Sequence, residues 1–208
     1  MNTFWEERFR EEGRIWGDNP SRSALLAIDL FKKAGVREVL VPGSGYGRNA
    51  GAFVRAGFAV TGIEISETAV AMARRGSSDV RYHQGSVLDM PFDDSVYDGI
   101  YCFSVLHLFR KNERVAFLAR CRDQLKDGGV LFFTVFSDKD PGFGTGRMVE
   151  ENTFESKPGR EVHYYSEEDL LSEFRGFEII NTGMVEEPED HGKEGRHVHQ
   201  LRSVYARR

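Results

Sequence analysis

Val39-Leu40-Val41-Pro42-Gly43-Ser44-Gly45-Tyr46-Gly47, followed one strand later by Glu64, is the stretch on which the reading of this chain turns. Val39 to Val41 have the length and apolar character of a short buried strand. Gly43 to Gly47 form a tight turn, and Arg48 to Ala56 read as a helix whose first amides point back at that turn. Free amides at a helix start attract an anionic group. Phe58 to Ile63 form a second strand, with Glu64 at its C-terminal end. A carboxylate there accepts both hydrogen bonds of a ribose diol. Turn and acid together describe half of a cradle for a nucleoside cofactor.

Two cofactor classes use this geometry. The dinucleotide fingerprint G-x-G-x-x-G needs glycine at position 48, which is Arg48. The spacing here, G-x-G-x-G, resembles motif I of the class I S-adenosylmethionine-dependent methyltransferases. That resemblance implies a turn facing the methionine half of the cofactor, with no pyrophosphate for Arg48 to crowd. It sets Pro42, Gly43, Ser44, Gly45, Gly47, Glu64 and Ile65 against S-adenosylmethionine. Glu64 argues against NADP, because a carboxylate repels a 2′-phosphate. A NAD-dependent oxidoreductase remains the alternative enzyme.

The chain has 208 residues, enough for one α/β domain with a full core. Its net charge of −5 and the lack of a basic stripe give no reason to expect a nucleic-acid partner. Apolar runs are strand-length, so no membrane partner is expected. Met1 to Arg14 is charged throughout and lacks a secretory apolar region, which points to the cytoplasm. Cys102 and Cys121 read as inert core thiols, in keeping with a reducing compartment.

Helical spacing covers Phe4 to Glu12 and Ser23 to Ala34, with a break at Gly17-Asp18-Asn19-Pro20. Ser66 caps a helix through Arg74, and Ser166 caps another with Asp169 at its third position. Asn112 to Gln124 is a further helix, ended by Asp127-Gly128-Gly129. Strands are expected at 37–41, 58–64, 80–83, 97–103, 130–136, 177–182 and 198–206. This alternation predicts a Rossmann-like, doubly wound α/β fold: a mainly parallel seven-stranded sheet, helices on both faces and an N-terminal helical extension. One domain, 1–208, is expected. Residues 1–34 form a helical cover, 37–136 the cofactor-binding core, and 137–165 a long polar lid over the substrate.

The resemblance extends over most of 37–136. Gln84-Gly85-Ser86-Val87-Leu88-Asp89-Met90-Pro91-Phe92 resembles the family's loop after the third strand. It implies Ser86 in the slot where many relatives place an adenine-binding Asp, Val87 against the ring, and Asp89 as a second polar candidate. Tyr101-Cys102-Phe103-Ser104-Val105-Leu106-His107 resembles the end of the fourth strand, placing Phe103 beside the cofactor and His107 near the acceptor. Leu125 to Leu131 resembles the family's turn into strand five. The chain departs from the family at Val41, where an acid commonly helps to hold the cofactor ammonium group. Val41-Pro42-Gly43 with Gly62-Ile63-Glu64-Ile65-Ser66 resembles the thiol and thiopurine branch. Phe4-Trp5-Glu6-Glu7-Arg8-Phe9 followed by Trp16 resembles the tellurite-resistance-type branch. Trp16 and Phe4 then either cover the cofactor or pin the N-terminal helix to the sheet.

These features predict methyl transfer to a small-molecule acceptor, with a lean toward a soft S, Se or Te nucleophile that needs little base catalysis. A module that holds S-adenosylmethionine without turnover is the non-enzymatic alternative. No residue declares itself a catalytic base. Candidates for the acceptor pocket are His107, Arg147, His163, Tyr164 and His197, with Arg160 as a further anion-holding lid residue. His191, His197 and His199 read as an exposed polar hairpin rather than a metal site, and no metal is expected. Glu186-Glu187-Pro188-Glu189-Asp190 reads as a solvated loop.

Overall fold

Strands that are apolar on both sides must be covered on both sides, and the computed structural model, which describes residues 3–190 and 195–208, arranges them so. Helices α1 (Thr3–Glu12) and α2 (Arg22–Lys33) precede β1 (Glu38–Pro42), α3 (Arg48–Arg55), β2 (Ala59–Glu64), α4 (Glu67–Gly76) and β3 (Val80–Gln84). Then come β4 (Tyr97–Phe103), α5 (Lys111–Gln124) and β5 (Leu125–Phe136). Three short strands follow, β6 (Arg147–Glu150), β7 (Thr153–Lys157) and β8 (Arg160–His163), then α6 (Glu167–Glu173), β9 (Glu178–Asp190) and β10 (Arg196–Arg207).

The main sheet has seven strands in the order β3-β2-β1-β4-β5-β10-β9. β3 to β5 run parallel. β10 is antiparallel to both β5 and β9, so the sheet is mixed. Alternation along each central strand divides the core. Val39, Val41, Tyr101, Val130 and Phe132 pack with α2, α3 and α4 on one face. Leu40, Ile100, Cys102, Leu131, Phe133 and Val135 pack with α5 and α6 on the other. Burial pushes both cysteine thiols up in pKa, which suits inert packing.

The chain turns away from β1 to build β2 and β3 on one side, then returns to build β4 on the other. The loops after β1 and β4 therefore part at the C-terminal edge, where open α/β sheets bind ligands.

Three expectations change. Asp127-Gly128-Gly129 lies inside β5, which starts at Leu125 and shifts register against β4 between Tyr97 and Gly99. Residues 137–165 are not a structureless lid: they carry an antiparallel meander, β6-β7-β8. The acidic run 186–190 is strand, because β9 continues beside β10 as far as Asp190. His191 lies outside the described residues. No helix among the described residues is long and apolar enough to cross a membrane.

Candidate active site

The parted loops open onto a cavity of about 800 Å³. Its first half is built by the glycine turn. Gly43, Gly45 and Gly47 all have positive φ, at 67°, 55° and 87°. At Gly43 a side chain is excluded twice, since an added Cβ would lie 2.2 Å from Val105 Cγ2. Glu64, buried at the end of β2, accepts the Gly45 amide at 2.8 Å and the Ser66 amide at 2.9 Å. Burial pushes its pKa up, against the downward pull of these amide bonds. Each carboxylate oxygen has a second lone pair to offer a ligand hydroxyl.

Two observations fit a nucleoside carrying an amino-acid tail. Glu64 lines the cavity beside the turn, at the height where a ribose diol needs an acceptor. Ser44 and Ser104 also line it, and neither buried hydroxyl oxygen has a hydrogen-bond partner among the described residues. Ser104 is held at φ 57°, a conformation that non-glycine residues seldom adopt. The cavity is closed on one side by Gln84 to Asp89, where Ser86 caps a short 3-10 turn by accepting the Leu88 amide.

Above this half lies the N-terminal segment. Trp5, Phe9, Trp16 and Tyr46 form an aromatic cluster, with Trp16 stacked on Tyr46 at 6.1 Å. The Tyr46 hydroxyl accepts the Trp16 amide at 2.9 Å and donates to the Gly17 carbonyl at 2.8 Å. Burial raises that phenol to about 12, so it remains a donor at any ordinary pH. Glu6 anchors α1 to the start of α4 by accepting from Ser66 Oγ at 2.6 Å and from Thr68.

The second half of the cavity is apolar with a charged wall. Phe103, Leu108, Phe136 and Leu201 line it together with Arg48, Glu187, Glu189 and His199. Arg48 pairs with Glu189 at 2.8 Å and lies over the rings of Trp16 and Phe103. Glu187 accepts the Arg22 and Ser23 amides at the N-terminus of α2. Gly159, Arg160 and Glu161, from the meander, close the remaining side.

The expected cofactor residues divide. Trp16, Gly43, Ser44, Gly45, Glu64, Ile65, Ser86, Val87, Asp89 and Phe103 line the cavity. Pro42 and Gly47 do not: Pro42 ends β1, and Gly47 is the N-cap of α3, facing Tyr82 and Ala73. The expected acceptor residues divide more sharply. His107 lines the cavity, is 1% exposed and accepts the Phe136 amide at Nδ1. Burial holds its pKa far below the usual imidazole value. Arg147 faces outward and pairs with Glu155 on the neighbouring strand. His163 is buried against Thr153 and Tyr165, because the meander turns it toward the sheet. Tyr164 packs among Phe136, Phe143 and Phe154. His197 lies beyond the lining and contacts it through His199, 2.9 Å between Nε2 atoms.

Glu187 and Glu189 were not legible as site residues, because a run of charge reads as solvated. The signal that finds them is strand period. Val185, Glu187 and Glu189 oppose Leu201, His199 and His197, so all six share one face of the hairpin. Among the described residues no group of three His, Cys, Asp or Glu is arranged to hold a metal ion.

Residues 40–133 match the family model described as "Methyltransferase domain". A putative methyltransferase of Geobacillus sp. (strain WCH70) is 27% identical over 115 residues, covering 53% of this chain and 47% of that protein. A probable S-adenosylmethionine-dependent methyltransferase of Mycobacterium tuberculosis (strain H37Rv) is 25% identical over 177 residues, covering 85% of this chain and 62% of that protein. This chain thus spans between about half and three fifths of the length of these relatives. Among solved structures, the 1,6-didemethyltoxoflavin-N1-methyltransferase of Burkholderia thailandensis superposes with a TM-score of 0.74 at 21% identity. That match covers 100% of this chain and 86% of that one.

Proposed function

We propose that this chain is a class I S-adenosylmethionine-dependent methyltransferase that transfers a methyl group from S-adenosylmethionine to a small-molecule acceptor held between Phe103, Phe136 and the β9–β10 hairpin. The observation that carries this reading is continuity. One cavity runs from Glu64 and the glycine turn, past Ser104, to the apolar half under His199. An in-line displacement needs donor and acceptor in one space, aligned and dry. When bound, S-adenosylmethionine supplies an activated methyl on a sulfonium.

The residues then have separate duties. Glu64 grips the ribose, and Ser44 with the turn amides receives the amino-acid tail. Val87 and Ile65 flank the adenine, with Ser86 and Asp89 at its polar edge. The aromatic cluster of α1 and Trp16 excludes water from above. Gly159 to Glu161 close the acceptor half, so the 137–165 segment serves as its cover. The structural neighbour from Burkholderia is described with S-adenosylhomocysteine and a heterocyclic acceptor bound together, which is the occupancy this cavity's two halves suit.

A soft S, Se or Te acceptor is the lean from sequence. The wall supplies Arg48 and Arg160 for an anion, but Glu161, Glu187 and Glu189 share it, which weighs against a multiply charged oxyanion. Transfer assays across thiols, selenite, tellurite, phenols and small amines sort these classes, after calorimetry with S-adenosylhomocysteine has established the cofactor. NADH binding by fluorescence in the absence of S-adenosylhomocysteine binding would replace this reading with the oxidoreductase one.

A further inference from the structure

The acceptor wall contains an ordered line of side chains that binding alone does not require. Asp140, in the turn after β5, is buried and fully engaged: Oδ1 accepts the Gly142 amide at 2.9 Å, and Oδ2 accepts the Gln200 amide at 3.1 Å. Oδ2 also meets His199 Nδ1 at 3.0 Å. An anionic carboxylate in that position makes Nδ1 the protonated nitrogen, leaving Nε2 as the acceptor of the ring. The ring plane is fixed by stacking on Phe136 at 4.5 Å, and Phe136 stacks in turn on His107. Nε2 points toward Glu189, 3.9 Å away and also in the cavity wall, and toward His197 Nε2 at 2.9 Å.

We propose that His199 is the base that takes the proton from an O–H or N–H acceptor in this cavity, with Asp140 as its positioning residue and the acceptor's O–H or N–H replacing His197 as the donor to Nε2. The inference rests on the methyl-transfer reading and specifies its acceptor class: a neutral hydroxyl or ring N–H carried on an apolar body. In the step, the acceptor oxygen or nitrogen forms a bond to the methyl carbon. The carbon–sulfur bond breaks with its electron pair remaining on the thioether sulfur, and the acceptor's proton goes to His199 Nε2. The imidazolium charge is offset by Asp140, 3.0 Å from Nδ1, and by Glu189, 3.9 Å from Nε2, which also pairs with Arg48. A thiolate or tellurite brings no proton, and for it this device would stand idle.

The test is NMR of protein labelled with ¹⁵N-histidine and loaded with S-adenosylhomocysteine. At pH 8 the expected His199 is the pure Nδ1–H tautomer with Nε2 bare, and Asp140→Asn shifts it toward Nε2–H. A His199 doubly protonated at pH 8 is a fixed ion pair with Asp140 and overturns the proposal, as does an Nε2–H tautomer in the wild type. The wild-type spectrum decides this even if the variant fails to fold, and it is readable without cofactor, so a failure of S-adenosylhomocysteine to bind is recognised separately by calorimetry. Adding 2-naphthol at millimolar concentration to the loaded protein is expected to move the His199 Nε2 resonance; no movement overturns the acceptor class. With an O–H acceptor, His199→Gln is expected to slow transfer by about 10²–10⁴-fold, the range of general-base catalysis, while leaving S-adenosylhomocysteine affinity unchanged.

Discussion

Glu64 does two things at once: it ties the glycine turn to the start of α4 through two backbone amides, and it presents a carboxylate to the cavity. Gly43 shows how little freedom the turn has. Gly43→Ala combines positive φ with a collision against Val105, so a loss of about 1–3 kcal/mol is expected in chemical denaturation, with weakened S-adenosylhomocysteine binding. Gly57→Ala is the control, because its φ is 97° but an added Cβ meets nothing within 4 Å. It should lose stability without losing affinity. His163 makes a prediction about acid. Burial lowers its pKa from 6.5 to about 4, so the folded protein binds the proton less readily than the unfolded chain. Its contribution is complete above the unfolded value and is lost as pH falls from there toward about 4. The urea midpoint should drop between pH 7 and 5, and His163→Gln should flatten that part of the profile.

At the scale of elements, α1 is tied to α4 by the Glu6 carboxylate and to the glycine turn by the aromatic cluster. Hydrogen bonds from Ser66 and Thr68 lower the Glu6 pKa, so its contribution is present above the ordinary carboxylate value and lost as pH falls through the lowered one. Hydrogen exchange of α1 amides should therefore accelerate under acid in the wild type, and already at neutral pH in Glu6→Gln; unchanged protection in the variant would mean the aromatic cluster alone holds the helix. The β9–β10 hairpin is where sequence was least legible. Glu187, Glu189, His197 and His199 are polar and alternate, and local patterning cannot distinguish a strand facing a polar cavity from a solvated loop. The long segment after β5 was hard to read for a related reason: Gly142, Gly144, Gly146 and Gly159 suggested irregular chain, whereas the first three lead into a meander and Gly159 turns β7 into β8. Conversely, β1, β2, β4 and the glycine turn were readable, because a doubly buried strand and a positive-φ turn each restrict residue type strongly.

For the whole molecule, the order of strands fixes the site before any side chain is considered. The reversal between β1 and β4 opens the edge, β2 brings Glu64 to it, and the antiparallel β9–β10 pair raises a polar wall on the far side. The glycine turn and Glu64, which line the cavity, were readable together because they come from one contiguous βαβ unit. The far wall of the cavity was not, because Arg48, Phe136, Arg160 and the hairpin residues converge from α3, β5, the meander and the last two strands, and only tertiary structure joins them. Titration calorimetry with S-adenosylhomocysteine, on wild type and Glu64→Ala, addresses the central claim most directly. Saturable binding by the wild type is expected, with an affinity at least about tenfold lower in the variant, as for lost hydrogen bonds to a charged group. No heat from the wild type at millimolar ligand, or equal affinity in both proteins, would contradict it.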